Sequence, residues 1–94
     1  MNFADESSYE AVIAELQKFV SEAGEQCDVL VSAGEDCVDN TDNDPAAAKA
    51  SDAVSKCASD IGKSLEEIND VISALQEELE EIREAAKEAD RMGE

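Results

Sequence analysis

Residues 39–45 decide how this chain folds, because they read Asp-Asn-Thr-Asp-Asn-Asp-Pro. Asp and Asn favour turns through hydrogen bonds from the side chain to the backbone, and Pro fixes its own φ. Asp44 followed by Pro45 is also a typical helix start, with Asp at the N-cap and Pro at the first helical position. This stretch therefore predicts a turn over residues 40–44 and a new helix from residue 45.

The sequence before this turn has the periodicity of a coiled-coil helix. Apolar residues recur at alternating intervals of four and three, a pattern that a strand cannot produce. The members of this first seam are Tyr9, Ile13, Leu16, Val20, Ala23, Cys27, Leu30, Gly34 and Cys37. Val12, Phe19, Val31 and Val38 widen the apolar side, which suggests packing against more than one neighbour. Ser7 and Glu10 have the spacing of a capping box, so we predict helix 1 at about residues 7–39.

The sequence after the turn carries a second seam with the same alternation. Its members are Val54, Ala58, Ile61, Leu65, Ile68, Ile72, Leu75, Leu79, Ile82, Ala86 and Ala89. Gly62, followed by a second capping-box pair at Ser64 and Glu67, could split this helix. Because the seam keeps its phase across that point, we predict one continuous helix 2 at about residues 45–92, within a single domain spanning residues 1–94.

The two seams can be tested against each other, because an antiparallel pair requires facing residues to have a nearly constant sum of residue numbers. Tyr9 with Leu75 and Leu30 with Val54 both give 84, and the other layers give 84 or 85. The implied centre, near residue 42, coincides with the turn. We therefore predict an all-α fold, an antiparallel two-helix hairpin resembling a coiled coil. Two helices bury little surface, so we expect a four-helix bundle with a second copy or a homologous partner.

The same register leaves helix 2 longer than helix 1. Beyond residue 80 an apolar stripe continues with no predicted helix to cover it. The residues that we predict to bind a partner there are Ile82, Ala85, Ala86, Ala89, Asp90 and Met92.

The charge of the chain limits its partners. The 25 acidic and 7 basic residues give a net charge of −18. Nucleic acids and anionic lipid surfaces would be repelled, so neither is expected as a partner. No stretch approaches the roughly 18 apolar residues of a membrane span, which argues against membrane insertion. Met1–Glu6 has no basic start and no apolar run, so we expect a cytoplasmic protein or export without a classical signal peptide.

Catalytic motifs are missing from the sequence. There is no His, which excludes Ser-His-Asp and Cys-His nucleophile systems. The carboxylates have the spacing of solvated helix surfaces, and the 39–44 loop lacks the Gly that an EF-hand calcium loop requires. We therefore expect no enzyme activity, no cofactor and no metal site.

The three cysteines have two interpretations. Cys27 and Cys37 fall on the first seam, where a buried Cys commonly acts as a small apolar residue. Cys27 and Cys57 fall at the same level of the hairpin, so a disulfide between them could join the two helices in an oxidising compartment.

The overall plan resembles the small helical hairpins of type VII secretion, the Trp-x-Gly superfamily. In that family a Tyr-x-x-x-Asp/Glu export signal follows helix 2, and here Ala86 and Asp90 stand at the two signal positions. The chain has no Trp, and its turn is Asp-Asn-Thr-Asp-Asn-Asp-Pro. The resemblance implies a non-enzymatic interaction protein, either a secreted substrate or the targeting partner of one, whose own partner is a homologous hairpin or a toxin's helices.

The Asn/Asp-Pro turn is also similar to that of type III secretion needle subunits, which are short hairpins that polymerise. Their polymerising C-terminal segment is rich in large apolar residues, whereas residues 85–92 here are mostly Ala and charged residues. The alternative function is therefore a structural coiled coil or a needle-like filament subunit.

Overall fold

The computed structural model describes residues 5–93, which form two α-helices and no strand in that range. Helix α1 spans Glu6–Asn40 and helix α2 spans Pro45–Met92. The molecule is a rod of 76 × 15 × 15 Å with a radius of gyration of 21.5 Å, against about 12 Å for a compact domain of this length. The predicted all-α, extended hairpin is confirmed. Residues Met1–Ala4, which entered the signal-peptide prediction, lie outside the described residues.

The turn has the predicted cap at its exit. The Asp44 side chain accepts hydrogen bonds from the backbone N–H groups of Ala46 and Ala47, at 3.1 and 3.2 Å. At its entry, the hydroxyl of Thr41 donates to the carbonyl oxygen of Cys37 at 2.7 Å. Between them Asp42 and Asn43 have φ values of 52° and 61°. Asp and Asn tolerate this left-handed region better than other side chains, so the polar turn sequence permits the chain reversal.

Helix α1 begins at Glu6, within one residue of the predicted start, but its N-cap differs from the predicted one. Its N-cap is Asp5, whose carboxylate accepts from the backbone N–H of Ser7 at 3.0 Å and from the Ser8 hydroxyl at 3.0 Å. Ser7 lies inside the first turn, so the predicted capping box of Ser7 and Glu10 is wrong. An ionised carboxylate suits the positive end of the helix dipole better than a hydroxyl does, which is consistent with Asp5 taking the cap.

The buried layer between the helices follows the predicted register. Ile13, Ile72 and Leu79 form one cluster, and the half-buried residues packed against it are Tyr9, Leu16, Val20, Ile68 and Leu75. Closer to the turn, the helices approach until a Cβ added to Gly34 would lie 3.2 Å from the Cα of Ser51. The numbers of these two residues add to 85, as the register predicts. Helix α2 is continuous through Gly62, which confirms the prediction that it is not split.

The first seam departs from its prediction near the turn. Leu30 is 51% exposed and Cys37 is exposed, whereas Val31 and Val38 are half-buried. Placing Leu30 and Cys37 on the seam was therefore wrong. Leu30 and Val31, like Cys37 and Val38, are adjacent apolar pairs, so the sequence allows either member to face α2. Near the turn the contact therefore moves forward by one position.

Candidate interaction surface

The predicted C-terminal stripe is only partly exposed. Ile82 and Ala86 are half-buried, while Ala85, Ala89, Asp90 and Met92 are exposed, with Met92 at 83%. Glu6, the first residue of α1, lies level with about residue 79 of α2 in this register, and α2 continues beyond α1 to Met92. Of the six predicted residues, Ile82 and Ala86 are the least exposed.

Arg83 joins the two helices at their open end. Its guanidinium donates to a carboxylate oxygen of Glu10 at 2.7 Å and lies 3.5 Å from a carboxylate oxygen of Glu6. The hydrogen bond that Arg83 donates to the Glu10 carboxylate raises the pKa of Arg83, with Glu6 adding to the effect. All three side chains are at least 40% exposed, so these ion pairs fix geometry more than they stabilise the fold. The apolar periodicity gives no indication of Arg83, although Glu6 and Glu10 have the i, i+4 spacing that places both on one helix face.

Most of the large exposed apolar residues fall on one side of the hairpin. Val12, Phe19 and Leu30 are 44%, 54% and 51% exposed, and each immediately precedes a buried or half-buried residue that faces α2. Val71, 51% exposed, precedes Ile72 in the same way. A residue that immediately precedes one facing the other helix is rotated away from that contact by about 100°, always in the same sense along the chain. In two antiparallel helices, this rotation brings the preceding residues of both helices to the same side of the hairpin.

We name this side the apolar flank. It consists of Val12, Phe19, Leu30 and Cys37 of α1 with Cys57, Ile61, Val71, Leu75 and Ala85 of α2. Val12 and Leu75 line one open depression of about 230 Å³, together with Ser8 and Tyr9, so the two helices do contribute to a common surface. Cys57 and Ile61 line a second depression of about 390 Å³.

We name the opposite side of the hairpin the polar flank. It consists of residues that come directly after a residue facing the other helix. All of its members are exposed: Glu10, Gln17, Asp28 and Glu35 of α1 with Asp52, Ser59, Glu66, Ser73 and Glu80 of α2. Glu35 and Asp52 line the same depression on that side, with Ser51 between the helices. The two flanks therefore differ in their large exposed apolar side chains, because none of these lies on the polar flank.

Several carboxylates also lie on this side of the hairpin. Those that immediately precede a buried or half-buried residue, or that line the depression beside Cys57, are Glu15, Glu22, Asp60, Glu67, Glu78 and Glu81. Glu78 lies near Tyr9, and burial first, then the Glu78 charge and its hydrogen bond, raise the pKa of the Tyr9 phenol. The predicted register places Tyr9 opposite Leu75 and does not identify Glu78 as a neighbour of Tyr9. The spacing does indicate this neighbour, because Glu78 lies three residues after Leu75 and therefore next to it on the same helix face.

All three cysteines are free thiols. Cys27 is half-buried on the contact side of α1, whereas Cys57 is exposed on the apolar flank. The residue of α2 that faces inward at this level is Ala58, which is half-buried. The disulfide between Cys27 and Cys57 is therefore not formed in this structure, because the side chain of Cys57 is turned about 100° away from the contact position.

Among residues 5–93, no group of three or more His, Cys, Asp or Glu side chains is arranged to hold a metal ion. Neither helix, over its described length, has an apolar segment long enough to cross a membrane.

Comparisons of the chain with protein-family models, curated proteins and solved structures found no match.

Proposed function

We propose that this chain is a non-enzymatic interaction protein, a small acidic helical hairpin that is exported by a type VII-like route or that targets such a substrate. The single observation that carries the proposal is the apolar flank. Exposed apolar surface that is confined to one side and bordered by polar residues typically marks a protein-binding surface.

The low burial of the hairpin supports the same proposal. Within the described chain only Ile13, Ala47, Leu65, Ile72 and Leu79 are buried, and none of these side chains is completely inaccessible. A core this small contributes little free energy of folding, so small domains of this kind commonly gain stability by association. Docking a further pair of helices on the apolar flank would complete a four-helix bundle.

Binding through the apolar flank can be tested with two matched variants. Phe19→Glu and Gln17→Glu each add one negative charge to α1, on the apolar and the polar flank respectively. We expect Phe19→Glu to abolish association with a homologous hairpin or a helical toxin segment, measured by size-exclusion chromatography with light scattering. Gln17→Glu should leave association unchanged. Equal behaviour of both variants, or a folded monomer that binds neither itself nor a helical partner, would overturn the proposal.

Export can be tested separately in cells that have a type VII secretion system. We expect the chain in the culture medium when the system is intact and only inside the cells when its ATPase is deleted. Retention inside the cells in both strains, with the homologous hairpin co-expressed, would remove the export part of the proposal.

The alternative is a structural coiled coil or a needle-like filament subunit. It is favoured by the rod shape, five times longer than it is wide at 76 × 15 × 15 Å. Light scattering distinguishes the two functions, because a filament subunit forms particles whose mass grows with protein concentration, whereas a hairpin interaction protein forms one complex of fixed mass.

A further inference from the structure

The apolar flank contains two rows of residues along each helix. The inner row, with Phe19 of α1 and Val71 of α2, lies about 70° from the direction of the opposite helix. The outer row, with Glu22 and Glu67, lies about 130° from that direction. The inner rows hold the large apolar side chains of the flank, and the outer rows hold most of its carboxylates.

The carboxylates of these rows have no basic residue among them. None of the seven Lys and Arg residues of the chain immediately precedes a buried or half-buried residue, so none lies in either row. The ion pairs among residues 5–93 use Glu6, Glu10, Glu84 and Glu88. Six exposed carboxylates therefore remain without an ion pair there: Glu15, Glu22, Asp60, Glu67, Glu78 and Glu81.

We infer that a single cationic amphipathic helix of another protein lies lengthwise on the apolar flank. Its apolar face packs against the inner rows, and its Lys or Arg side chains pair with the carboxylates of the outer rows. The inference rests on the proposed interaction function and names the chemistry of the partner. One added helix is enough to cover this flank.

The angles of the two rows suit one added helix. A helix packed at equal distances from α1 and α2 lies at the third corner of a triangle, about 60° from the direction of the opposite helix. The inner rows, at about 70°, point at this helix, and the outer rows, at about 130°, lie along its two sides. Packed helices that associate specifically have this arrangement, with apolar contacts in the centre and charged pairs at the edges.

Two depressions on the flank set the length of the partner. Val12 and Leu75 line one of about 230 Å³, and Cys57 and Ile61 line one of about 390 Å³. Leu75 and Ile61 lie about 21 Å apart along α2, which equals two heptads of a helix. A partner helix of about 20 residues is roughly 30 Å long, so it can place one large apolar side chain in each depression.

Charge favours a cationic helix over a second copy of the chain. Two copies joined through this flank would bring the carboxylates of one against those of the other, on chains that each have a net charge of −18. A cationic helix pairs with these carboxylates instead. The polar flank is also acidic, but none of the large exposed apolar residues lies on it, so the apolar flank alone offers both interactions.

The first test titrates the full chain with three synthetic peptides of about 20 residues in a calorimeter. One peptide has Leu on one helix face and Lys on the other, the second has Glu in place of Lys, and the third is a shuffled form of the first without an apolar face. We expect the Leu–Lys peptide to bind one-to-one, the Glu peptide not to bind, and the shuffled peptide to bind at least about tenfold more weakly. Equal binding of the Leu–Lys and shuffled peptides overturns the inference.

The second test compares carboxylates that are neighbours in the sequence but lie on opposite flanks. Glu67→Gln with Glu81→Gln removes two charges from the outer row, and Glu66→Gln with Glu80→Gln removes two from the polar flank. The first pair should raise the dissociation constant of the Leu–Lys peptide about threefold to tenfold and reduce its dependence on salt. The second pair should change the constant by less than about twofold. Equal effects of the two pairs overturn the placement on the apolar flank.

The mass of the chain separates this inference from the proposed function. Light scattering should give one copy, 10.0 kDa, for the chain alone. A dimer formed through Phe19 that excludes the Leu–Lys peptide overturns this inference alone and leaves the proposed function standing. Binding of a homologous hairpin without any binding of the peptide has the same meaning. A chain that binds neither itself, a hairpin nor the peptide overturns both.

Discussion

At the scale of single residues, Ile72 is the most buried side chain among the described residues, with 4% of its surface exposed. Ile72→Ala should lower the free energy of unfolding by about 2–5 kcal/mol, because the substitution leaves a cavity between the helices. Urea unfolding followed by circular dichroism measures this loss. Ser73→Ala, one position further on an exposed face, should change stability by less than about 0.5 kcal/mol. Similar losses in both variants would mean that the layer around Ile72 is not packed as described.

Tyr9 permits a direct measurement of the environment at the open end, because it is the single tyrosine in the chain. Burial and Glu78 raise its pKa in the folded protein. The neutral phenol is therefore favoured by folding, so stability is retained below the unfolded pKa of about 10 and falls as the pH rises through the folded pKa. The tyrosinate absorbance should rise at a higher pH in native protein than in urea. Glu78→Gln should bring the two midpoints closer together, and coincident midpoints in the original chain would contradict the assignment.

The helix start illustrates what sequence alone could not decide at this scale. Asp5 and Ser7 are both good N-cap residues, and the Ser7–Glu10 spacing favoured the second. Helix starts that differ by two residues have nearly the same local free energy, so the contacts of the first turn decide between them. Here Glu6 and Glu10 both reach Arg83 of the opposite helix. That contact, with a partner 73 residues away in the sequence, lies outside any local pattern.

At the scale of the helices, three glycines differ in how closely the opposite helix approaches them. A Cβ added to Gly24 or Gly62 meets nothing within 4 Å, whereas one added to Gly34 lies 3.2 Å from the Cα of Ser51. Gly24→Ala and Gly62→Ala should each stabilise the protein by about 0.5–1 kcal/mol through helix propensity. Gly34→Ala should stabilise it less or destabilise it, because the backbone of α2 would have to move. Urea midpoints measure the three effects, and equal stabilisation at Gly34 would place the helices further apart.

The two helices also explain why one seam was predicted more accurately than the other. In α2 every seam residue from Val54 to Ala86 is buried or half-buried, so only Ala89 departs from the predicted pattern. In α1 both neighbours of the contact line are apolar near the turn, so the pattern allowed either Leu30 or Val31 to face inward. In the structure Val31 faces inward and Leu30 is exposed. Sequence periodicity thus places a helix face reliably only where polar residues border it.

At the scale of the whole molecule, the hairpin and its register were predictable because two independent signals coincided, the Asp44–Pro45 helix start and the constant sum of facing residues. The candidate surface was predicted less well. Val12 and Phe19 were identified as widening the apolar side of α1, but their common side with Val71 depends on how two antiparallel helices face each other. A pattern within one helix does not contain that relation, so the apolar flank emerges only from the pair.

The order of the contacts along the rod has a consequence for the kinetics of folding. Gly34 and Ser51 meet only 17 positions apart in the sequence, whereas Glu10 and Arg83 are 73 apart. Closing the shorter loop costs less conformational entropy, so the transition state should contain the turn and the layers beside it. Ala47→Gly should then slow refolding, whereas Leu79→Ala should mainly accelerate unfolding, as stopped-flow measurements in urea can determine. Equal φ-values at the two positions would mean that the helices associate along their whole length at once.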